Sequence, residues 1–300
     1  MRQPERHAAM SRPLPAPRPF RLIALDLDGT LLDDQARVSS DDAAALRRFH
    51  ESGGIVVLAS GRMTANIRPF YEIIGLDGPT IAYNGALARE SLGEGGHTIF
   101  EMALPARYAD ELIGYTRRER FHLNYYLDEK LYAVDDSELR AYADFYSRQT
   151  GAVFEFVPDL SVFRGREPTK LLLVTDCTAP GKPDPRHRDE LYEVWHGRWG
   201  GEVAVMRTNP EYLEFYHREA GKGRALAALA RRYGVERSLT LAFGDNFNDV
   251  SLLEAAGCGV AVRNANADAI AAADWVSPLT NNESAVADAL ERLMIWSTGG

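Results

Sequence analysis

Phe20-Arg21-Leu22-Ile23-Ala24-Leu25-Asp26-Leu27-Asp28-Gly29-Thr30-Leu31-Leu32 is the stretch whose reading decides the fold. An apolar run of strand length ends in two carboxylates one residue apart, followed at once by Gly29 and Thr30. Unpaired carboxylates at the lip of a core cost several kcal/mol unless a cation receives them. A lone Asp-x-Asp after a strand is more often a turn or helix-cap device than a catalytic pair. A calcium-binding helix-loop-helix does not fit, because its loop needs oxygen ligands at alternate positions and glycine at the sixth. Here Gly29 follows Asp28 directly and two leucines come next.

Working outward, the chain alternates strand and helix: a strand over 21–27, a helix over 40–51 capped by Ser39 or Ser40, a continuous apolar strand over 55–59, a helix over 64–74 made irregular by Pro69, and a strand over 80–83. That alternation predicts a doubly wound parallel sheet. From residue 87 the pattern changes to hairpins, at 86–90 with 97–102, 122–127 with 130–134, and 203–208 with 212–217. Helices over 105–120, 136–150 and 188–198, a strand over 170–175 and a Pro-rich loop over 177–186 lie among them. The parallel grammar resumes with a helix opening at Gly221-Lys222-Gly223, a strand over 239–243, a helix from Asn248, a strand over 259–262, a helix over 266–273, a strand over 274–277 and a closing helix over 283–296. The fold class predicted is α/β, a doubly wound parallel-sheet core with an inserted α+β domain. The core spans 20–86 and 209–298, the insertion 87–208, and residues 1–19, rich in Arg and Pro, form a disordered tail in which Met10 is an alternative start.

Four loci share one topological feature, lying at strand ends or helix starts: Asp26/Asp28/Thr30, Ser60, Lys222, and Asp245 with Asn248 and Asp249. Ligands of open α/β sheets bind outside the carboxyl ends of the strands. Asp26 is placed to attack phosphorus as a nucleophile, and Asp28 to carry protons to and from the oxygens that leave and enter. Asp245, Asn248 and Asp249 offer the hard oxygen ligands that Mg²⁺ requires. Ser60 and Thr30 are hydroxyl donors, and Lys222 sets a positive charge at a helix N-terminus, where anions bind. Turns and helix caps explain the acidic groups and Ser60 singly, and a solvated helix-start position explains Lys222. They do not explain all four groups in this order on successive strand ends.

The segments LDLDGTLL (25–32), AYNGA (82–86), ASGR (59–62), GKGRAL (221–226) and GDNFNDVSLLEAAG (244–257) resemble the haloacid dehalogenase superfamily, in its Cof-like branch with a large cap (subclass IIB). The resemblance implies a Rossmann-like core with a cap of type C2B that closes over the crevice and selects the substrate. It also implies Mg²⁺-dependent hydrolysis of small phosphate monoesters through an aspartyl-phosphate, with Asp26 and Asp28 catalytic. It makes Thr30, Ser60, Gly61, Lys222 and Asn248 phosphate-binding, and Asp26, Asp28 (through its main-chain carbonyl), Asp245 and Asp249 metal-binding. Arg62 and Asn84 become candidate substrate contacts. Asp28 itself favours ester hydrolysis over carbon–halogen cleavage, since dehalogenases proper lack it. The lysine motif reads Ala220-Gly221-Lys222, where a Ser often precedes the lysine, and Asn282-Glu283-Ser284-Ala285 stands where relatives commonly carry Asp-Gly; both departures lie outside the reacting groups. A phosphomutase or phosphotransferase, or a non-catalytic phospho-ligand sensor, are the alternatives.

Composition narrows the partners. A net charge of −9 without a Lys/Arg stripe argues against nucleic acid, and no apolar segment of membrane-spanning length occurs. Cys177 and Cys258 lack CxxC spacing, so neither a disulfide framework nor a zinc site is expected, which fits the cytoplasm. The expected partner is a small phosphorylated metabolite, bound by a monomer or weak homodimer. The aromatic residues Phe121, Tyr125, Tyr126 and Tyr132 suit an organic leaving group such as a sugar or a cofactor-type alcohol, and core packing explains them equally well.

Overall fold

The computed structural model describes residues 13–91, 96–175 and 185–295. The Gly-rich turn after Glu90, most of the Pro-rich loop with Cys177, the first twelve residues and Trp296 lie outside it. The chain forms two compact units, one built from 1–59, 70–78 and 226–300, the other from 60–69 and 79–225.

In chain order the elements are β1 (Leu22–Asp26), α1 (Ser40–Glu51), β2 (Ile55–Ala59) and α2 (Arg68–Ile74), then β3 (Thr80–Ala82), β4 (Leu87–Arg89), β5 (Thr98–Glu101), α3 (Ala106–Glu119), β6 (Leu123–Leu127), β7 (Lys130–Val134), α4 (Arg140–Thr150) and β8 (Phe154–Val157). There follow β9 (Lys170–Val174), α5 (Pro185–Trp199), β10 (Val203–Arg207), β11 (Tyr212–His217) and α6 (Lys222–Arg232). The last stretch holds β12 (Thr240–Gly244), α7 (Val250–Ala255), β13 (Cys258–Ala261), α8 (Ala267–Ala272), β14 (Trp275–Val276) and α9 (Ala285–Leu293).

The first unit is a parallel sheet in the order β14-β13-β12-β1-β2. β1 is central and buried at all five positions, which is why its sequence is continuously apolar rather than alternating. The chain leaves β1 toward β2 on one side and returns as β12 on the other, so the strand order reverses between β1 and β12. This doubly wound sheet is the one the sequence predicts. Ser39 caps α1 by accepting from the Asp42 N–H at 3.0 Å. Asp42 is itself buried and accepts the Ala287 N–H at 2.8 Å, tying α1 to α9. Arg18, inside the stretch expected to be a tail, pairs with the chain's other end: its N–H reaches Leu293 O at 2.8 Å, and its carbonyl accepts from Ile295 at 2.9 Å.

In the second unit, β3, β4 and β5 pair antiparallel. A six-stranded sheet runs β10-β11-β9-β6-β7-β8. Its alternation sorts side chains cleanly. Tyr125, Leu171, Leu173, Leu213 and Phe215 join the apolar core with Leu112, Trp195 and Trp199 of α3 and α5. Their neighbours Tyr126, Lys170, Glu214 and Tyr216 take the opposite face, as period two requires, and are nonetheless buried. β8 was not expected from the sequence. It pairs parallel to β7 through α4, a βαβ unit inside an otherwise antiparallel sheet.

Element ends also differ from the sequence reading. The helix expected from Asp136 begins at Arg140, because the Asp136 carboxylate accepts the Glu138 N–H at 2.9 Å and holds a turn there. The helices expected from Thr64 and from Asn248 each open with a separate 3₁₀ turn, Thr64–Asn66 and Phe247–Asp249. Before α9, Thr280 and Glu283 form a capping box, and α9 itself starts at Ala285. Among the described residues no helix is long and apolar enough to cross a membrane.

Candidate functional site

In the first unit, Asp26 is the last residue of β1 and Asp245 directly follows β12, so both stand at the reversal of strand order. Asp249, in the 3₁₀ turn after β12, completes a group in which one carboxylate oxygen from each of Asp26, Asp245 and Asp249 lies within 4.8 Å of the others. Asp26 and Asp249 are buried and Asp245 is half-buried. The backbone enforces this crowding. Gly29 has φ +84°, and a Cβ there would stand 2.5 Å from Asp245 Oδ2, so no other residue lets the 26–30 loop approach so closely. Gly244 plays the same part under Asp249, whose Cβ would be 2.4 Å from an added methyl. Thr30 Oγ1 donates to Asp245 Oδ1 at 3.1 Å. Asp249 accepts the Asp245 and Asn246 N–H groups at 3.1 and 3.0 Å, which fixes its rotamer.

Asp28 is exposed and contributes no carboxylate oxygen to the group. Asn248 lies half-buried in the 3₁₀ turn between Phe247 and Asp249. Sequence reasoning missed Asn264, Asn266 and Asn281. Asn264 donates to the Gly29 carbonyl at 2.7 Å, and Asn266 takes Asp245 O with its N–H at 2.8 Å. Asn281 donates to Leu32 O at 2.9 Å, and its N–H bonds Asn264 Oδ1 at 3.0 Å. These amides lash the acidic loops from outside. Their only sequence signal is the density of asparagine over 264–282.

Buried carboxylate oxygens at such spacing repel one another and are acceptor-only, so the donor set fits a hard divalent cation bound through oxygen. Asp26, Asp245 and Asp249 are the side chains that would hold it.

In the second unit, three loops pack backbone to backbone. Ser60 N–H bonds Ile81 O at 2.9 Å, Asn84 N–H bonds Ser60 O at 3.0 Å, and Tyr83 N–H bonds Arg62 O at 3.0 Å. Ser60, 2% exposed, accepts the Arg62 N–H on its hydroxyl at 3.2 Å. A Cβ on Gly61 would meet Asn84 Oδ1 at 2.9 Å, and one on Gly85 would meet Gly221 C at 2.1 Å. Lys222, fully buried, opens α6 beside that contact. Both burial and the helix dipole oppose a cation in that position, and an anionic ligand answers both. Arg62 and Asn84 are half-buried. Of Phe121, Tyr125, Tyr126 and Tyr132, the first, second and fourth pack with the apolar core, while Tyr126 lies on the opposite face of β6.

A doubly wound sheet with three crowded carboxylates at its switch point, at the carboxyl ends of β1 and β12, defines an α/β protein with a candidate divalent-cation site. Residues 23–290 match the family model of the haloacid dehalogenase-like hydrolases. The chain belongs to that family, in its Cof-like branch. Among solved structures it is similar to TM0651 from Thermotoga maritima, with 34% identity, a TM-score of 0.78, and 91% of this chain and 97% of that one covered. Among characterised proteins it is 28% identical to 5-amino-6-(5-phospho-D-ribitylamino)uracil phosphatase YwtE of Bacillus subtilis, covering 92% of this chain and 98% of the relative. It is also 28% identical to pyridoxal phosphate phosphatase YbhA of Escherichia coli, covering 84% and 90%.

Proposed function

We propose that the protein is a Mg²⁺-dependent phosphatase of small-molecule phosphate monoesters, with a sugar phosphate or a cofactor-type phosphate as substrate. The observation that carries this reading is the convergence of Asp26, Asp245 and Asp249 beside the exposed Asp28. Two relatives named for different organic phosphates, at the same identity to this chain, support the reaction class while leaving the leaving group open.

Asp26 attacks phosphorus, forming an acyl phosphate as the ester oxygen departs, and Asp28 gives that oxygen its proton. Asp28 then takes a proton from the water that attacks the aspartyl-phosphate, which regenerates Asp26 and releases inorganic phosphate. When bound by Asp26, Asp28, Asp245 and Asp249, Mg²⁺ offsets carboxylate charge and polarises the phosphoryl oxygens. Thr30, Ser60, Gly61, Lys222 and Asn248 hold the phosphate oxygens as charge spreads over them. Residues 87–208 act as the cap that selects the leaving group, with Arg62 and Asn84 as substrate contacts. We place the enzyme in the cytoplasm, as a monomer or weak homodimer.

Purified protein with Mg²⁺, assayed on an aryl phosphate and a panel of phosphometabolites, is expected to release phosphate, and Asp26→Asn to abolish turnover. Wild type that hydrolyses nothing sinks the proposal. Label passing from the phospho-enzyme to a sugar in preference to water makes the protein a mutase or transferase instead.

A further inference from the structure

The loop Tyr83-Asn84-Gly85 sits between the two candidate phosphate-binding loops of its unit, bonded to Ser60 and Arg62 on one side and pressed on Gly221 and Lys222 on the other. It holds two successive non-glycine residues in the left-handed region, Tyr83 at φ +50° and Asn84 at φ +53°. Such backbone is strained by on the order of 1–2 kcal/mol per residue and persists only where its surroundings hold it.

One anchor leads away from this loop into the six-stranded sheet. Asn84 Nδ2 donates to Tyr216 OH at 3.1 Å, Tyr216 OH donates to Glu214, and Glu214 pairs with Lys170 Nζ at 3.3 Å. Lys170 lies over the Tyr126 ring at 4.8 Å, and Tyr126 OH meets Tyr146 OH at 2.8 Å. Tyr126, Lys170, Glu214 and Tyr216 are all at most 8% exposed. They occupy the face of β6, β9 and β11 turned away from the α3/α5 core. A buried charge pair there is weak evidence for stability, since apolar residues of similar volume do as well or better. Its geometry ends on Asn84. Burial holds the Tyr216 phenol well above its ordinary range, so it stays protonated and its hydrogen bond runs one way, toward Glu214.

We propose that Tyr216 and Glu214 are positioning residues that hold the strained Asn84 loop, and through it Ser60 and Lys222, in the arrangement that receives a phosphate group. The inference rests on the reading of Ser60 and Lys222 as phosphate ligands. It makes the relay sensitive to the phosphoryl group common to every substrate and indifferent to the leaving group.

The test is Tyr216→Phe, which removes one oxygen and keeps the ring. Calorimetric binding of inorganic phosphate in the presence of Mg²⁺, and kcat/KM for both an aryl phosphate and the best substrate of the panel, are expected to fall by one common factor of about tenfold. The double variant Lys170→Met/Glu214→Leu, which removes the ion pair together with the acceptor of the Tyr216 hydroxyl, is expected to lower both by a common factor as well. Loss confined to the larger substrate, with phosphate affinity unchanged, overturns the proposal and makes these residues leaving-group contacts. A lower Tm with unaltered phosphate affinity overturns it in favour of a structural role. Wild type that binds phosphate but hydrolyses no ester ends the phosphatase reading, and the phosphate affinity of Tyr216→Phe then decides this one alone.

Discussion

Asp245→Asn separates what the acidic group does for binding from what it does for folding. With carboxylate oxygens within 4.8 Å of one another, each like-charged pair is repelled by about 3 kcal/mol at an effective dielectric near 20. Asp245 takes part in two such pairs, with Asp26 and Asp249. It is half-buried, so water screening reduces the relief from neutralising it to roughly 1–3 kcal/mol. Asparagine keeps an oxygen that can accept from Thr30 Oγ1, so that hydrogen bond is retained. Asp249 would be a poor choice for the same experiment, because its carboxylate also accepts two backbone N–H groups. In EDTA the variant is therefore expected to melt several degrees above wild type, at about 2–4 °C per kcal/mol for a unit of this size. With Mg²⁺ at a thousandfold its Kd, wild type gains about 4.1 kcal/mol and the variant little, so the order of stability reverses. Thermal melts of both proteins in EDTA and across a Mg²⁺ titration read this directly. A variant less stable than wild type in EDTA, or one that keeps the full Mg²⁺ shift, refutes the reasoning.

Gly29→Ala must place a methyl 2.5 Å from Asp245 Oδ2 at φ +84°. It is expected to lose about 1–2 kcal/mol from backbone strain and to weaken Mg²⁺ binding as Asp245 shifts; a Mg²⁺ midpoint equal to that of wild type, read from thermal melts, contradicts this. His122, buried with Nε2 bonded to Asn124 Oδ1 at 2.8 Å, is held down to about 4 by burial. The unfolded chain takes up this proton near pH 6.5 and the folded chain only near 4, so the contribution is whole above pH 6.5 and is lost as pH falls toward 4. On the order of 3 kcal/mol is involved. Urea unfolding between pH 7 and 4 is expected to show a slope that His122→Gln flattens, and an equal slope in both proteins rules the assignment out.

The first unit was legible because its signals are local. A continuous apolar run means a strand covered on both faces, and Asp26-x-Asp28-Gly29 and Gly244-Asp245 mark where two such strands stop. The resemblance then tied these ends to one chemistry. Asn264 was illegible for the opposite reason: its bond to Gly29 O joins residues far apart in sequence, and no local pattern records it. β8 escaped because Phe-Glu-Phe-Val is four residues of an edge strand, and its parallel pairing with β7 is set by where α4 delivers it. Along β11, Leu213 and Phe215 alternate with Glu214 and Tyr216. Only the neighbouring β9, which adds Lys170, shows that the polar face is a buried network rather than a solvated one.

These misses share a cause that bears on function. Local propensity predicts a residue well where the fold is all that constrains it, and departures concentrate where something else does. Left-handed φ at Tyr83 and Asn84, a buried lysine at the start of α6, and three carboxylates pressed together by glycines are each unfavourable to folding taken alone. An anion bound in one unit and a cation in the other would each stabilise such an arrangement further. On that view apoprotein stability and ligand affinity oppose each other. Substitutions that ease the crowding, such as Asp245→Asn, should then raise the melting temperature of the ligand-free protein, and those that cut the supports, such as Tyr216→Phe, should lower phosphate affinity without any such gain.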